Sequence, residues 1–421
     1  MMKRYQNMKD SGIEWIGEIP EHWDVIKTNM ITRNLDGKRV PLNSEERSLI
    51  NGKIPYWGSS GIVDYIDKYI FDEELILVGE DGAPFFDRNK PVSFYIDEKV
   101  WVNNHIHILK AKGKTAVSKY LVNTFNCVDY KNYITGSTRD KLTQADLKKI
   151  VHPIPPKPEQ AAIVTFLDDK TAKIDTLIVK KQRKIELLTE QRKALINQAV
   201  TKGLDPTVPM KDSCVEWIRE IPEGWEVTKS RWIFSIRKDI AGELGHNVLS
   251  VTQKGIKIKD IESGDGQLSM DYSKYQLVDK GQFVMNHMDL LTGYVDISKY
   301  DGVTSPDYRA FFISNVNCVA KYYLYLLQYC YHDKIFFPFG RGSAQLGRWR
   351  LPTKEFLDFL FPQPPKLEQE SIVEFLDSEL NEIDLLMKKE YDKIKLLKEY
   401  RQSLISEVVT GKIDVREEVA V

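Results

Sequence analysis

The chain has 421 residues, of which 42% are hydrophobic and 29% charged, and a formal net charge of -1. That length exceeds one ordinary hydrophobic core, so two or more domains are expected, and the composition excludes a disordered chain. No apolar run approaches the ~20 residues of a membrane span, and the opening MMKRYQNMKDSG lacks the apolar core of a secretion signal.

Cys127, Cys214, Cys318 and Cys330 are scattered. They form no CxxC pair, so a zinc ribbon is excluded and a reducing cytoplasm is the expected setting. The near-zero net charge leaves nucleic-acid binding open, because that footprint is a local basic patch and not a whole-chain average.

Two internal repeats organise the chain. Residues 11–27, SGIEWIGEIPEHWDVIK, match residues 213–229, SCVEWIREIPEGWEVTK, at an offset of 202. Residues 153–205 match residues 362–414 at an offset of 209, with about half the positions identical. The repeating unit is a Trp-rich leader, a variable body, a Pro-rich joint and a long helix. The leaders read as packing anchors. The implied boundaries are 1–152 for the first leader and body, 153–206 for the first helix, 207–361 for the second leader and body, 362–415 for the second helix, and 416–421 for a tail.

The first body reads as α+β. Leu75 to Val78 is a buried strand before the tight turn Glu80–Ala83, and KVWVNNHIHILKA has the period of a strand around Asn103, Asn104 and His105. Residues from about Val117 to Tyr133 read as helix, followed by a Ser/Thr/Arg loop and a short helix. The second body keeps this order in different words. AKYYLYLLQYCYHDKIFF takes the place of the first helix, and FGRGSAQLGRWRL that of the loop GSTRDKL.

Both bodies end in prolines, which stop helix from extending backward. Glu159-Gln160 and Glu368-Gln369 then fall in a first helical turn, where negative charge is favourable. A heptad follows: Ile174, Ile178, Ile185, Leu188, Leu195 and Ala199 in the first copy, and Ile383, Met387, Ile394, Leu397, Leu404 and Val408 in the second. Sustained spacing of three and four argues a coiled coil. Since one chain holds both copies, an antiparallel intramolecular pair with pseudo-two-fold symmetry is the simplest arrangement. The basic run Lys180, Lys181, Arg183, Lys184 reads as a solvated face.

Catalytic signatures fail. Lys112-Gly113-Lys114-Thr115 lacks the leading glycine of a P-loop, since position 108 is Ile108. Gly340 and Gly342 are not completed by a third glycine, because position 345 is Gln345. His105 and His107 beside Glu80 and Asp81 leave open a metal-dependent nuclease, and a coiled-coil scaffold joining two protein-binding modules is a further alternative.

What remains are polar, Gly-rich loops whose side chains suit base edges: Arg to guanine, Asn or Gln to adenine, Ser or Thr to either. The candidates are Ser59, Ser60, Asn103, Asn104, His105, Ser137, Thr138, Arg139 and Lys141 in the first body. In the second they are Gln253, Lys254, Asn286, His287, Arg309, Arg341, Ser343, Gln345, Arg348 and Arg350.

The leader EWIGEIPEHW, the joint and helix PPKPEQAAIVTFLD…KID…LL, and their copies EWIREIPEGW and PPKLEQESIVEFLD…EID…LL resemble the specificity subunit of type I restriction–modification enzymes, over the whole chain and twice. The resemblance implies two target recognition domains, each binding half of a split, asymmetric site in double-stranded DNA. The helices would form a coiled coil that sets the spacer. The subunit would have no catalysis and bind no cofactor or metal of its own. It would dock two methyltransferase subunits using S-adenosylmethionine, and two motor and nuclease subunits using ATP and Mg.

Overall fold

The computed structural model describes residues 3–135, 139–261, 269, 271–343 and 348–418. These residues fall into two compact units. Unit 1 comprises Met1–Arg183 and Glu390–Val421, and unit 2 comprises Lys184–Lys389. The divisions fall within the two long helices, Lys157–Lys202 and Lys366–Val409. The reason is the apolar stripe on each helix. Each body packs on the first part of the helix that follows it and on the last part of the other helix.

Within unit 1 the leader is a hairpin, Met8–Asp10 with Glu18–Pro20. Asp24–Lys27 then pairs with Val151–Ile154, which closes the body at its exit. The central sheet orders Thr32–Asn34, Ile106–Ala111, Leu75–Gly79 and Ser93–Ile96, all antiparallel. Leu75–Gly79 has neighbours on both sides, so its five residues are all buried, as a continuous apolar run requires. A second four-stranded sheet, with Asn51–Gly58 and Lys99–Val102 at its centre, packs Trp57, Phe71, Val100 and Val102 against Leu75, Leu77 and Ile106.

The sequence predicts one strand through Asn103–His105. Two are found, Lys99–Val102 and Ile106–Ala111, one in each sheet. The expected helix to Tyr133 ends at Phe125, and a single 3-10 turn, Tyr130–Asn132, follows.

Unit 2 repeats this plan. Its leader hairpin is Met210–Asp212 with Glu220–Pro222, and Glu226–Lys229 pairs with Leu360–Gln363. Its central sheet orders Phe234–Arg237, Arg309–Ile313, Phe283–Met285 and Val295–Ile297, the counterparts of the four unit 1 strands. The core is far more aromatic, with Phe234, Phe283, Phe311, Phe356 and Phe361 joined by Tyr322 and Tyr323. The helix Ala320–His332 stands where Ser118–Phe125 stands in unit 1.

The leader–helix joint turns on the same Trp–Glu bond in both units. Trp23 Nε1 donates to Glu159 Oε1 at 3.1 Å, and Trp225 Nε1 to Glu368 Oε2 at 2.9 Å. Tyr5 also donates to Glu159, and His22 Nε2 lies 2.9 Å from its second oxygen. These carboxylates therefore hold the leader, a tighter role than the general helix-end charge read from the sequence. Tyr120 donates to Pro153 O at 2.6 Å and Val409 O at 3.2 Å. Tyr322 donates to Pro362 O at 3.4 Å and Val200 O at 2.9 Å. One tyrosine thus ties the exit strand of each body to the last turns of the other helix.

In unit 1 Asp175 meets Arg401 at 2.9 Å and Lys181 meets Glu390 at 2.9 Å, so the segments run antiparallel. In unit 2 Arg192 meets Asp384 at 3.3 Å, which is the Arg401–Asp175 pair with the helices exchanged. Heptad positions Ile174, Ile178, Ile185, Leu188, Ala199, Ile383, Ile394, Leu404 and Val408 are buried, while Leu195, Met387 and Leu397 are half-buried. Lys181, read as part of a solvated face, instead holds the buried Glu390.

Candidate nucleic-acid interface

In unit 1 the predicted residues converge on the turn Glu80–Gly82 that follows the buried strand. The His105 carbonyl accepts from the backbone amides of Glu80 at 3.0 Å and Asp81 at 3.3 Å. Its ring Nδ1 lies 3.2 Å from Asp81 Oδ2. Arg139 Nε lies 3.0 Å from Asp81 Oδ1, and Lys141 Nζ 3.7 Å from Glu80 Oε1. Lys141 also bridges to Asp81 through the backbone, and Asn103 N donates to Trp57 O at 2.9 Å. Ser59 and Ser60 form the neighbouring turn, with the Ser59 carbonyl close against Gly79. Ser60, Asn104 and Arg139 are exposed. Ser137 and Thr138 lie outside the described residues.

Beneath this edge lies a network the sequence did not reveal. Asp36 is buried, and its Oδ2 lies 2.7 Å from His107 Nδ1 and accepts from Gln144 Nε2 at 2.9 Å. His107 Nε2 lies 2.8 Å from the Leu142 carbonyl. Burial would raise the Asp36 carboxyl, but hydrogen bonding and attraction to His107 hold it below the usual carboxylate range. Asp36, Glu80 and His107 have the donor spacing of a cation site. The Arg39 guanidinium lies beside them and bonds Glu80 and the carbonyls of Asn104 and Ile106. Of the four residues the sequence groups for a metal, Glu80 and His107 come together with Asp36, and His105 and Asp81 form a separate pair. His107 turns inward to Asp36, while His105 pairs with Asp81 at the surface.

In unit 2 the corresponding edge follows Phe283–Met285. The Asn286 carbonyl accepts from Tyr331 Oη at 2.9 Å, and the His287 carbonyl from Leu351 N at 2.8 Å. Among the described residues no hydrogen-bond partner reaches Asn286 Oδ1 or His287 Nδ1. Burial, with Arg309, Arg350 and Lys238 nearby, lowers the His287 pKa to about 3, so this imidazole is neutral and offers an acceptor. Gln253 and Lys254 sit exposed in the turn between Leu249–Thr252 and Gly255–Ile258, and Gln253 reaches the Thr292 carbonyl at 3.5 Å.

Arg341–Ser343 pairs antiparallel with Arg348–Arg350, as Ile134–Thr135 does with Lys141–Leu142 in unit 1. Tyr120 and Tyr322 still match at an offset of 202, whereas Leu142 and Leu351 match at 209, so the seven added residues lie between these positions, where the helix Ala320–His332 has 13 residues against 8 in Ser118–Phe125. Arg341 is exposed with Nη2 2.8 Å from Glu355, and Arg350 is also exposed. Gln345 and the side chains of Ser343 and Arg348 lie outside the described residues.

Arg309 does not belong to the surface set. It is 3% exposed, donates to the Leu351 carbonyl at 3.0 Å and lies over the Phe356 ring. It stands at the sheet position of His107, which contacts the matching Leu142 carbonyl. Two different side chains thus secure the end of this antiparallel pair to the central sheet.

The Type I restriction modification DNA specificity domain family matches residues 20–187 and 246–396, more than half of the chain. A type I restriction enzyme specificity subunit of Methanocaldococcus jannaschii, MjaVIII, is 26% identical over 94% of this chain and 94% of its own length. A Haemophilus influenzae relative named as such a subunit is 34% identical, over 33% of this chain and only 34% of its own length. A solved chain from work on complex assembly and conformational transition of the type I R-M system shares the fold. Its TM-score is 0.67 and its identity 12%, over 94% of this chain and 99% of that one. With a duplicated frame, two polar sheet edges and a family match in both halves, the chain belongs to the type I restriction–modification DNA specificity family.

Proposed function

We propose that each unit reads one half of a bipartite duplex target, and that the helices fix the spacing between the halves and seat two methyltransferase subunits. The observation that carries this is a repeated frame holding chemically different edges. Asn103, His105, Arg139 and Lys141 surround one turn in unit 1, while Gln253, Asn286, His287 and Arg341 belong to the corresponding parts of unit 2. An asymmetric target follows from unlike side chains on like scaffolds.

The helices span 46 and 44 residues, roughly 65–70 Å at ~1.5 Å per residue. Leu187 and Leu396 hold equivalent places on them and are 48% and 63% exposed, which supports two equivalent docking surfaces. The chain itself performs no catalysis and carries no cofactor in this proposal. S-adenosylmethionine belongs to the methyltransferase subunits, and ATP with Mg to two motor and nuclease subunits, in the cytoplasm. Among the described residues no helix is long and apolar enough to cross a membrane.

The test is duplex binding by the chain with its methyltransferase at several salt concentrations. Binding should need both half-sites and weaken steeply with salt. Absence of sequence-selective binding would contradict it.

A further inference from the structure

Arg139 is held in a cradle. Its Nε lies 3.0 Å from Asp81 Oδ1, and the other Asp81 oxygen is 3.2 Å from His105 Nδ1. The Asp81 side chain is 19% exposed, against 61% for Arg139, so the carboxylate is the fixed partner and the guanidinium the presented one. Asp81 is itself fixed, because its amide donates to the His105 carbonyl at 3.3 Å and its backbone bridges to Lys141.

Gly82 completes the cradle. Its φ is +67°, and a Cβ there would stand 2.6 Å from Arg139 Nε and 2.8 Å from Nη2. Only the absence of a side chain lets the guanidinium lie against this turn. In unit 2 Arg341 is likewise held by a carboxylate, but by Glu355.

We infer that Arg139 reads a guanine in the half-site of unit 1, with Asp81 as the positioning residue that aims it. This rests on the proposed half-site reading by each unit. A carboxylate at Nε restricts a long, rotamer-rich side chain before binding and leaves terminal nitrogens free to donate. The planar fork then matches guanine O6 and N7. A phosphate clamp needs charge but not a fixed fork plane. The buttress therefore favours base reading over backbone contact.

The experiment uses the full chain with its methyltransferase and a pool of randomised duplexes, sequencing the bound fraction to give base preference at every target position. The unaltered complex should yield one guanine position in one half-site that Arg139→Ala relaxes, lowering preference there by roughly 5- to 150-fold. Arg139→Lys should relax the same position while keeping the salt dependence, since it retains the charge without the fork. Asp81→Asn should shift preference at that position alone and add nothing in the Arg139→Ala background. Gly82→Ala, which displaces the guanidinium, should reproduce the shift.

Uniform weakening by Arg139→Ala across all sequences, with a shallower salt slope, would identify a phosphate contact and overturn the inference. So would Asp81→Asn lowering affinity with base preference intact. If the unaltered complex selected no bipartite sequence, the half-site reading itself would fail, and this assignment with it. Arg139 variants acting at no position, while the bipartite target persists, would overturn the assignment alone.

Discussion

Gln160→Leu should destabilise unit 1 by about 2–4 kcal/mol. Gln160 is fully buried, and its amide satisfies three backbone groups. Oε1 accepts from Val117 N at 2.9 Å, and Nε2 donates to Thr115 O and Pro155 O, both at 2.9 Å. Leucine fills similar space but leaves all three unpaired. Pro155 O, enclosed by protein, bears the full cost of ~1–3 kcal/mol, while the other two lie nearer water and cost less. Gln369 makes the same three contacts, to Val319 N at 2.8 Å, Asn317 O at 3.1 Å and Pro364 O at 2.9 Å, so Gln369→Leu should cost unit 2 a similar amount. Urea unfolding followed by fluorescence and circular dichroism would measure both, with the transitions of the two units fitted separately if they do not coincide. A loss below ~1 kcal/mol for either variant, or values differing by more than ~1.5 kcal/mol, would refute the claim that these glutamines do the same job by the same bonds.

His152 is fully buried between Thr28 and Thr124, and burial lowers its pKa to about 3. The unfolded chain binds a proton below about pH 6.5 that the folded chain refuses, so stability is complete above that pH. It should fall by up to ~1.4 kcal/mol per pH unit as pH drops toward 3. The slope of unfolding free energy between about pH 6 and 5 should therefore be positive and should flatten in His152→Gln, while a flat profile in the unaltered chain would contradict the assignment. Arg309→Met should remove the bond to Leu351 and cost about 2–3 kcal/mol, with faster amide exchange around Arg350 and Leu351, because the donor is charged and buried. Arg401→Ala should cost no more than about 1 kcal/mol despite its two bonds to Asp175, because both partners are partly exposed to water, and added salt should shrink the effect further.

The frame was legible because it is written twice. Trp23 and Trp225, Glu159 and Glu368, and the heptad positions recur at fixed offsets, and each pair does the same work in its own unit. One central strand was legible, since Leu75–Gly79 is an unbroken apolar run. What escaped were contacts that depend on long-range closure. Asp36 meets His107 across 71 residues, and nothing local marks that aspartate as buried. Arg309 looked like a loop cation, but its neighbours in Arg309–Ile313 form a central strand that draws it inside. Asp81, read only as a turn residue or a metal ligand, anchors Arg139. Surface polar residues obey no periodicity, so their convergence at Glu80–Gly82 emerges only when the strands are assembled.

The central claim is that each unit reads its own half-site. The most direct measurement maps methylated adenines by single-molecule sequencing, after residues 28–152 are exchanged for the corresponding body of another family member and the chain is combined with its methyltransferase. The account predicts that one half-site changes while the other half-site and the spacer length stay as they were. A change in both half-sites, or in neither, would contradict it.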